Sequence, residues 1–391
     1  MARSTLVCIC LLRPWISIIK FMKVLFLGLA KHQINYFSAV LENSELSGRV
    51  VTPSTLPFPS IFDLRRAFYQ VEWSRLVREK RAERAKKGRY RGAVYRLLLR
   101  LELLVMALRF GRLLRKERPD AVAVWNGSHR YCSLFTSMCE ARMLKLYFEN
   151  GLLPGTTTLD PRGVNYRNSV PRDPDFYRSY ARRHPDRLRG VQAVTLVPRQ
   201  AKCQSQSVEL PGGYIFIPFQ DDWDTQIRLF SPWISDMREL FSFAQLVAQR
   251  SGRVVVLKEH PSSRVKYPDL AMRASDKVIF ANGNSTQDLI ENADCVVTIN
   301  STVGLESILL AKPVLVLGKA FYAIEGIAAS ARSAEEGLAL LETLPSWGIS
   351  EELRQAFISY LRDEYCVPGR WQEGGAEHYA AVARRIEALK A

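Results

Sequence analysis

The sequence predicts an α/β protein: two Rossmann-like domains facing one another across a cleft, with a basic helical insertion in the first domain. Three observations predict it. Short β-branched apolar runs alternate with longer amphipathic stretches along both halves of the chain, the pattern of sheets covered by helices. Several of these runs end in small or polar residues, where open α/β sheets keep their binding loops. The 391 residues, 47% of them hydrophobic, suffice for two cores of ordinary size.

The clearest unit is residues 294–318. Cys295 to Ile299 reads as a buried strand and Asn300-Ser301-Thr302 as a turn. Val303 to Ala311 reads as a helix stopped by Lys312-Pro313, and Val314 to Leu317 as the next strand. A helix start presents unpaired N–H groups and a positive dipole end. The Ser301 and Thr302 hydroxyls beside it suit a phosphate, a plain N-cap being the alternative.

In chain order, residues 1–21 form an uncertain N-terminal tail. Its apolar run is short and no clear small-residue cleavage site follows, so a signal peptide has weak support. The first domain is expected over 22–212. Lys23 to Leu29 is its first strand, and Ile34 to Leu41 begins a helix. Lys31 and His32 stand in the turn between them, as binding residues or as part of a surface loop. Val50 to Pro59 is a short strand with a Pro-rich connection. Residues 62–118 are helical, with a break near Lys87-Gly88.

The formal charge of +16 is concentrated in this helical segment: from Arg65 to Arg118, 18 Lys and Arg face 5 Glu, a net of +13. A basic helix pair of this kind suits an anionic lipid surface, with arginine heads snorkelling around an apolar face. A solvated hairpin packed on the sheet is the other reading. Nucleic acid is the rival partner for any basic patch and lacks support here, since no recognition signature occurs and the tract has few aromatics for base stacking; none is expected.

Asp120 to Trp125 is a strand ending in Asn126-Gly127-Ser128-His129, and Phe135 to Ala141 is a helix. Leu144 to Phe148 is a strand running directly into Glu149-Asn150-Gly151. A Glu at a buried strand end is a site candidate, or else a carboxylate capping the turn. Residues 154–165, including Asn165, read as a long polar loop, and 171–212 as irregular chain bridging the domains.

The second domain is expected over 213–374. Tyr214 to Phe219 is its first strand, followed by Gln220-Asp221-Asp222-Trp223-Asp224-Thr225-Gln226. Three carboxylates in four residues are costly unless solvated or used. Ile227 to Val247 reads as largely helical despite Ser231-Pro232. Arg253 to Lys258 is a strand ending in Glu259-His260-Pro261. Lys277 to Phe280 is a strand, and Ser285 caps a helix reaching Asn292. Residues 375–391 form a helix that crosses back onto the first domain.

Seven scattered Cys and five His without ligand spacing argue for a reduced protein with no structural metal. No stretch of 18 apolar residues occurs, so no spanning helix is expected. Gly-x-Gly-x-x-Gly, the P-loop and Gly-x-Ser-x-Gly are all absent, which sets aside dinucleotide, P-loop and α/β-hydrolase chemistry. The predicted cleft collects Lys31, His32, Asn126, His129, Glu149, Asp221, Asp222, Asp224, Lys258, His260, Ser301, Thr302 and Glu306. Cations and helix starts there suit the leaving phosphate of an activated donor. Carboxylates suit attack on a sugar centre and handling of the acceptor proton.

Four blocks resemble the bacterial capsular polysaccharide biosynthesis and export family that contains the retaining β-Kdo transferases. They are Glu149-Asn150-Gly151 with Gly163-Val164-Asn165; Pro218-Phe219-Gln220 with Asp224-Thr225-Gln226; Lys258-Glu259-His260-Pro261; and Asn300 to Glu306 with Lys312-Pro313-Val314 and Gly318 to Tyr322. The last is the most specific. The set covers roughly 149–322, less than half the chain.

The resemblance implies a GT-B-like architecture with an acceptor-side first domain and a nucleotide-sugar-binding second domain. It implies retaining transfer of Kdo from CMP-Kdo, with Asp224 as nucleophile and Glu149 as acid/base. Lys258, His260, Ser301, Thr302, Glu306 and Gln220 would bind the donor. Lys31, His32, Asn126, His129 and Asn165 are left for the acceptor or the cleft. No cofactor is implied beyond the donor. The expected partners are an anionic phospholipid or glycolipid acceptor, the inner-membrane surface and a capsule assembly complex, with the protein cytoplasmic and peripheral on the membrane's inner face. Another nucleotide sugar, or a non-catalytic assembly or export role, are the alternatives.

Overall fold

The computed structural model describes residues 21–86, 88, 92–188, 206–261, 263, 265–344, 347 and 349–390. The tail expected over 1–21, apart from Phe21, and much of the expected bridge lie outside them.

Strand β1 (Lys23–Leu27), helix α1 (Lys31–Glu42) and strand β2 (Ser47–Val51) open the chain. Helices α2 (Leu64–Gln70), α3 (Trp73–Lys86) and α4 (Ala93–Glu117) form the basic insertion. Then come β3 (Ala121–Trp125), α5 (Arg130–Ser137), β4 (Leu144–Asn150), β5 (Thr156–Asp160), α6 (Pro174–Arg183) and α7 (Pro185–Leu188). The second half runs β6 (Tyr214–Pro218), α8 (Thr225–Phe230), α9 (Met237–Ser251), β7 (Val255–Lys258), α10 (Pro268–Ala271), β8 (Val278–Phe280), α11 (Thr286–Glu291), β9 (Ala293–Thr298), α12 (Thr302–Leu309), β10 (Val314–Val316), β11 (Ala329–Ser330), α13 (Ala334–Glu342) and α14 (Glu351–Tyr360). Strand β12 (Val367–Pro368) and helix α15 (Ala376–Ala388) end it.

Two six-stranded sheets result, ordered β12-β5-β4-β3-β1-β2 and β11-β10-β9-β6-β7-β8. The second is parallel throughout. The first is parallel from β4 to β2, with β5 and β12 antiparallel at its other edge. Helices cover both faces, so the central strands are apolar runs such as Val-Ala-Val in β3 and Ile-Phe-Ile in β6. The two α/β domains expected from the sequence are present.

Four differences have physical causes. Thr156–Asp160, expected as loop, is a strand: its three threonines are β-branched, and Thr158 and Thr157 pair with Glu149 and Asn150. The expected helix Ile227 to Val247 is two helices. Ser231-Pro232 ends the first, and Asp236 caps the second by accepting from Arg238 and Glu239 N–H. The helix expected from Phe135 runs Arg130–Ser137 because the His129 side chain caps it. Finally, α6 joins the second core, where Tyr177 and Tyr180 meet Phe357 and Tyr360 of α14. Chain from Val170 onward therefore contributes to the second core well before Gly213. The return to the first domain likewise begins at Val367, in β12, before α15.

Helix α15 packs Val382, Ala383 and Ile386 against the Phe26, Phe37 and Phe148 side of the first sheet. Lys390 reaches Asp120 at 3.0 Å. Among the described residues no helix is long and apolar enough to cross a membrane, and no group of His, Cys, Asp and Glu could hold a metal.

Candidate active site

The first-domain side is built on β4. Alternation along a strand puts Lys145, Tyr147 and Glu149 on one face. Glu149 Oε1 accepts the Asn150 N–H at 2.9 Å, and Oε2 accepts the Asn126 amide. Asn126 holds a left-handed φ of 59° while its own N–H donates to the Phe148 carbonyl at 2.8 Å. Burial raises the Glu149 pKa above the usual carboxylate value. The two hydrogen bonds oppose that shift, and the Asp224 charge adds to it. The two carboxylates expected to share the chemistry therefore feel one another, although they come from different domains.

On the second-domain side, Asp224 is the N-cap of α8. Its Oδ1 accepts from Gln226 N–H at 3.0 Å, and the side chain is exposed. Asp222, only 8% exposed, accepts from Met237 N–H at 3.0 Å and from the Tyr267 hydroxyl. Asp221 accepts from Trp223 N–H at 3.0 Å and shapes the turn. Of the three acids, Asp224 is the one whose charge acts on Glu149.

Gln220 is a brace. Its Nε2 donates to Asn300 Oδ1 at 3.0 Å and its Oε1 accepts Asn300 N–H at 3.2 Å, all buried. Asn300 Nδ2 donates onward to the Gln226 carbonyl at 3.0 Å, and Gln226 Nε2 returns to the Asn300 carbonyl at 3.2 Å. The Asp224 turn and the Ser301 turn are thereby locked together. Ser301 Oγ caps α12 by accepting Val303 N–H at 3.2 Å, and Thr302 is exposed at the helix start.

Gly304 lies in the first turn of α12, where a Cβ would collide with the Tyr322 hydroxyl and lie 2.7 Å from its Cζ. Tyr322 is fully buried and donates to the Ser301 carbonyl. Gly304→Ala should cost about 1–3 kcal/mol by overpacking and loosen the Ser301 turn. Thermal melting and nucleotide binding by the variant check this.

Lys258, expected to bind the donor, is engaged by the chain itself. Its ammonium donates to the Asn282 carbonyl at 2.8 Å and to the Asn284 carbonyl, and burial lowers its pKa. It organises the loop after β8. His260 is half-buried beyond β7, its carbonyl accepting Ser263 N–H at 3.0 Å. Glu306 is half-buried in α12, where its charge acts on Tyr322.

A cleft of about 240 Å³ lies beside these residues; Glu149 and Asp224 do not line it themselves, but Asn126, the hydrogen-bond partner of Glu149, and Thr225, next to Asp224, do. Asn126, His129 and Asn165 line it from the first domain, Thr225, Arg228 and Phe230 from the second. Arg228 Nη2 donates across to the Glu79 carbonyl of α3 at 2.9 Å. The His129 ring edge reaches solvent, yet the walls around it, then Arg130 and Lys80, push its pKa down to about 4. Asn165 has a left-handed φ of 57°.

Lys31 and His32, both exposed, lie off this cleft's walls. The His32 ring stands 5.5 Å from Trp371, whose Nε1 donates to Asn150 Oδ1 at 2.8 Å. Trp371, Lys145 and Arg167 were missed in the sequence, for they sit outside strand-end loops or far along the chain. Alternation along β4 was the available signal for Lys145.

The capsule polysaccharide biosynthesis protein family model matches residues 188–361. The chain is 37% identical over 254 residues to Protein FixF of Sinorhizobium fredii (strain NBRC 101917 / NGR234), covering 64% of this chain and 61% of that protein. It is 26% identical to the capsule polysaccharide export protein KpsS of Escherichia coli over 46% of this chain and 62% of that one. The chain thus spans about three fifths of the length of each of these two relatives. Among solved structures, the β-Kdo 2,7 transferase of Thermosulfurimonas dismutans KpsC aligns at a TM-score of 0.46 and 14% identity, over 86% of this chain and 89% of that one. Residues 188–361, less than half of the chain, are thus similar to the capsule polysaccharide biosynthesis protein family.

Proposed function

We propose that the chain is a retaining glycosyltransferase that moves Kdo from CMP-Kdo to a lipid-linked acceptor in capsular polysaccharide assembly, working peripherally on the inner face of the cytoplasmic membrane. The observation that carries this reading is that Glu149, bonded to Asn126, and Asp224, next to Thr225, each adjoin a residue lining one cleft, with the Asp224 turn braced to the Ser301 helix start. In the first step an Asp224 carboxylate oxygen attacks the sugar's anomeric carbon. The bond to the CMP phosphate breaks, and its electron pair leaves with CMP. In the second step the acceptor hydroxyl attacks the same carbon while Glu149 takes its proton, and the Asp224 ester bond breaks to restore the carboxylate. CMP leaves readily without a metal, so the reading includes no cofactor. The start of α12, with Thr302 exposed, would hold the CMP phosphate.

The test is transfer from CMP-Kdo to a phosphatidylglycerol-type acceptor, followed by mass spectrometry of the lipid. Transfer from a UDP-sugar in place of CMP-Kdo would overturn the donor. Absence of transfer from any nucleotide sugar would favour an assembly or export role.

Membrane contact is supported by the segment leading into and through α2. Phe58, Phe62 and Tyr69 are each more than 80% exposed, and Arg115 and Arg65 lie 5.6 and 6.0 Å from the Phe62 and Tyr69 rings. Aromatics beside cations suit an anionic interface. The Phe62→Ser, Tyr69→Ser double variant should bind phosphatidylglycerol-containing vesicles about tenfold more weakly with an unchanged melting temperature. Vesicle flotation checks it.

A further inference from the structure

The cleft beside Glu149 holds more positive charge than its own carboxylates neutralise. Arg75 is paired with Glu72 and Glu79, Lys80 with Glu83 and Arg130 with Glu102. Lys145, Arg162 and Arg167 line the same cavity and form no ion pair among the described residues. Arg167 stands with its guanidinium 5.5 Å from the Phe230 ring, and Lys145 is half-buried on the Glu149 face of β4. Cations crowded into a partly closed cleft repel one another and draw an anion.

The loop that carries Arg162 is pre-organised. Asp160, fully buried, accepts from Arg162 N–H at 2.7 Å and from Gly163 N–H at 2.9 Å. It also accepts from Ser169 N–H at 2.6 Å, Ser169 Oγ at 2.7 Å and the Tyr365 hydroxyl at 2.8 Å. A loop held this firmly presents its arginine without an ordering cost at binding. Lys145 precedes Glu149 by four strand residues, about 13 Å along β4. That separation leaves room for a hydroxyl-bearing unit between an anion on the cations and the reacting hydroxyl at Glu149. Ser128, Ser133, Thr136 and Ser137 add hydroxyls to the wall, and oxyanions take such donors together with arginine forks.

We propose that this cleft is a phosphate subsite for the acceptor, in which Lys145, Arg162 and Arg167 hold the phosphate of a mono- or diester and direct its hydroxyl toward Glu149. The word acceptor rests on the transferase reading, whereas the binding of a phosphate ester does not.

The test is calorimetric titration of the full chain at constant ionic strength with inorganic phosphate, glycerol 3-phosphate and, below its micelle concentration, dihexanoyl-phosphatidylglycerol. At least one should bind, and Lys145→Met and Arg167→Met should each weaken it by about tenfold or more. Arg162→Met, at a loop position anchored through its backbone, is the variant to rely on if either of the others misfolds by circular dichroism. Binding of the lipid alone would assign a diester headgroup, and binding of the soluble esters alone a free phosphate; both support the subsite. No binding, or equal binding by every folded variant, would overturn it. Asp224→Asn should bind these probes like the wild type. Phosphate-ester binding by a protein that transfers no sugar would therefore sink the reaction and leave the subsite standing, while transfer indifferent to the three cations would sink the subsite alone.

Discussion

Asp224→Asn should lower the transfer rate by about 10⁴-fold with no loss of stability. An amide oxygen still accepts the Gln226 N–H that the carboxylate accepts at 3.0 Å, so α8 keeps its cap. What disappears is the proposed nucleophile, because an amide cannot form and release the glycosyl ester. The neighbouring acid should behave in the opposite way. Asp222 is buried between the start of α9 and Tyr267. Asp222→Asn leaves one of those donors facing another donor, at a cost of about 1–3 kcal/mol. Its melting temperature should fall, and its activity should follow only the remaining folded fraction. Initial rates and melting curves of the two variants separate the roles. A wild-type rate from the Asp224 variant would remove it from the mechanism.

Glu149→Gln is expected to cost about 10²- to 10⁴-fold in transfer rate, the usual range for a general base, while making the protein more stable at neutral pH. Burial raises the folded-state pKa of Glu149 above its unfolded value. Below the unfolded value both states hold the proton and the stability contributed by the protonated group is fully present. It is lost as pH rises through the raised folded value, because the native state must then ionise a buried carboxylate. Gln carries no such penalty, so the variant's melting temperature should exceed that of the wild type above the raised pKa and match it at low pH. Activity runs the other way with pH. The base must be ionised, so wild-type transfer should fall on acidification, with a midpoint above that of an ordinary Glu. Melting curves and rate profiles across pH 4 to pH 8, approximately the range over which a raised carboxylate titrates, would show both effects. An acidic limb preserved in the Gln variant would assign it to another group.

The sheet strands were legible because each carries a local signature. Ala293–Thr298 and Tyr214–Pro218 are apolar runs bounded by polar turns, and no distant contact is needed to see them. The 300–302 turn was legible for the same reason. Side-chain allegiance was not. Gln220 and Lys258 stand at strand ends as binding residues do, but their partners, Asn300 and the 282–284 turn, are 24 to 80 residues away. A polar residue that braces and one that binds look alike until those partners are placed. Thr156–Asp160 was hidden by its hydroxyls and by Pro154-Gly155 beside it, although β-branching marks it as a strand. Trp371 was hidden by distance: it is 221 residues from the Asn150 that it holds.

The carboxylate of Asp160 joins two places that the chain order keeps apart. On one side it grips the backbone of Arg162 and Gly163. On the other it receives the hydroxyl of Tyr365, at the end of a π-helical turn through which the polypeptide passes from one α/β unit back to the other. The passage and the arginine loop thus share one buried anchor. A ligand held by the loop would therefore bear, through this one carboxylate, on the passage between the two units.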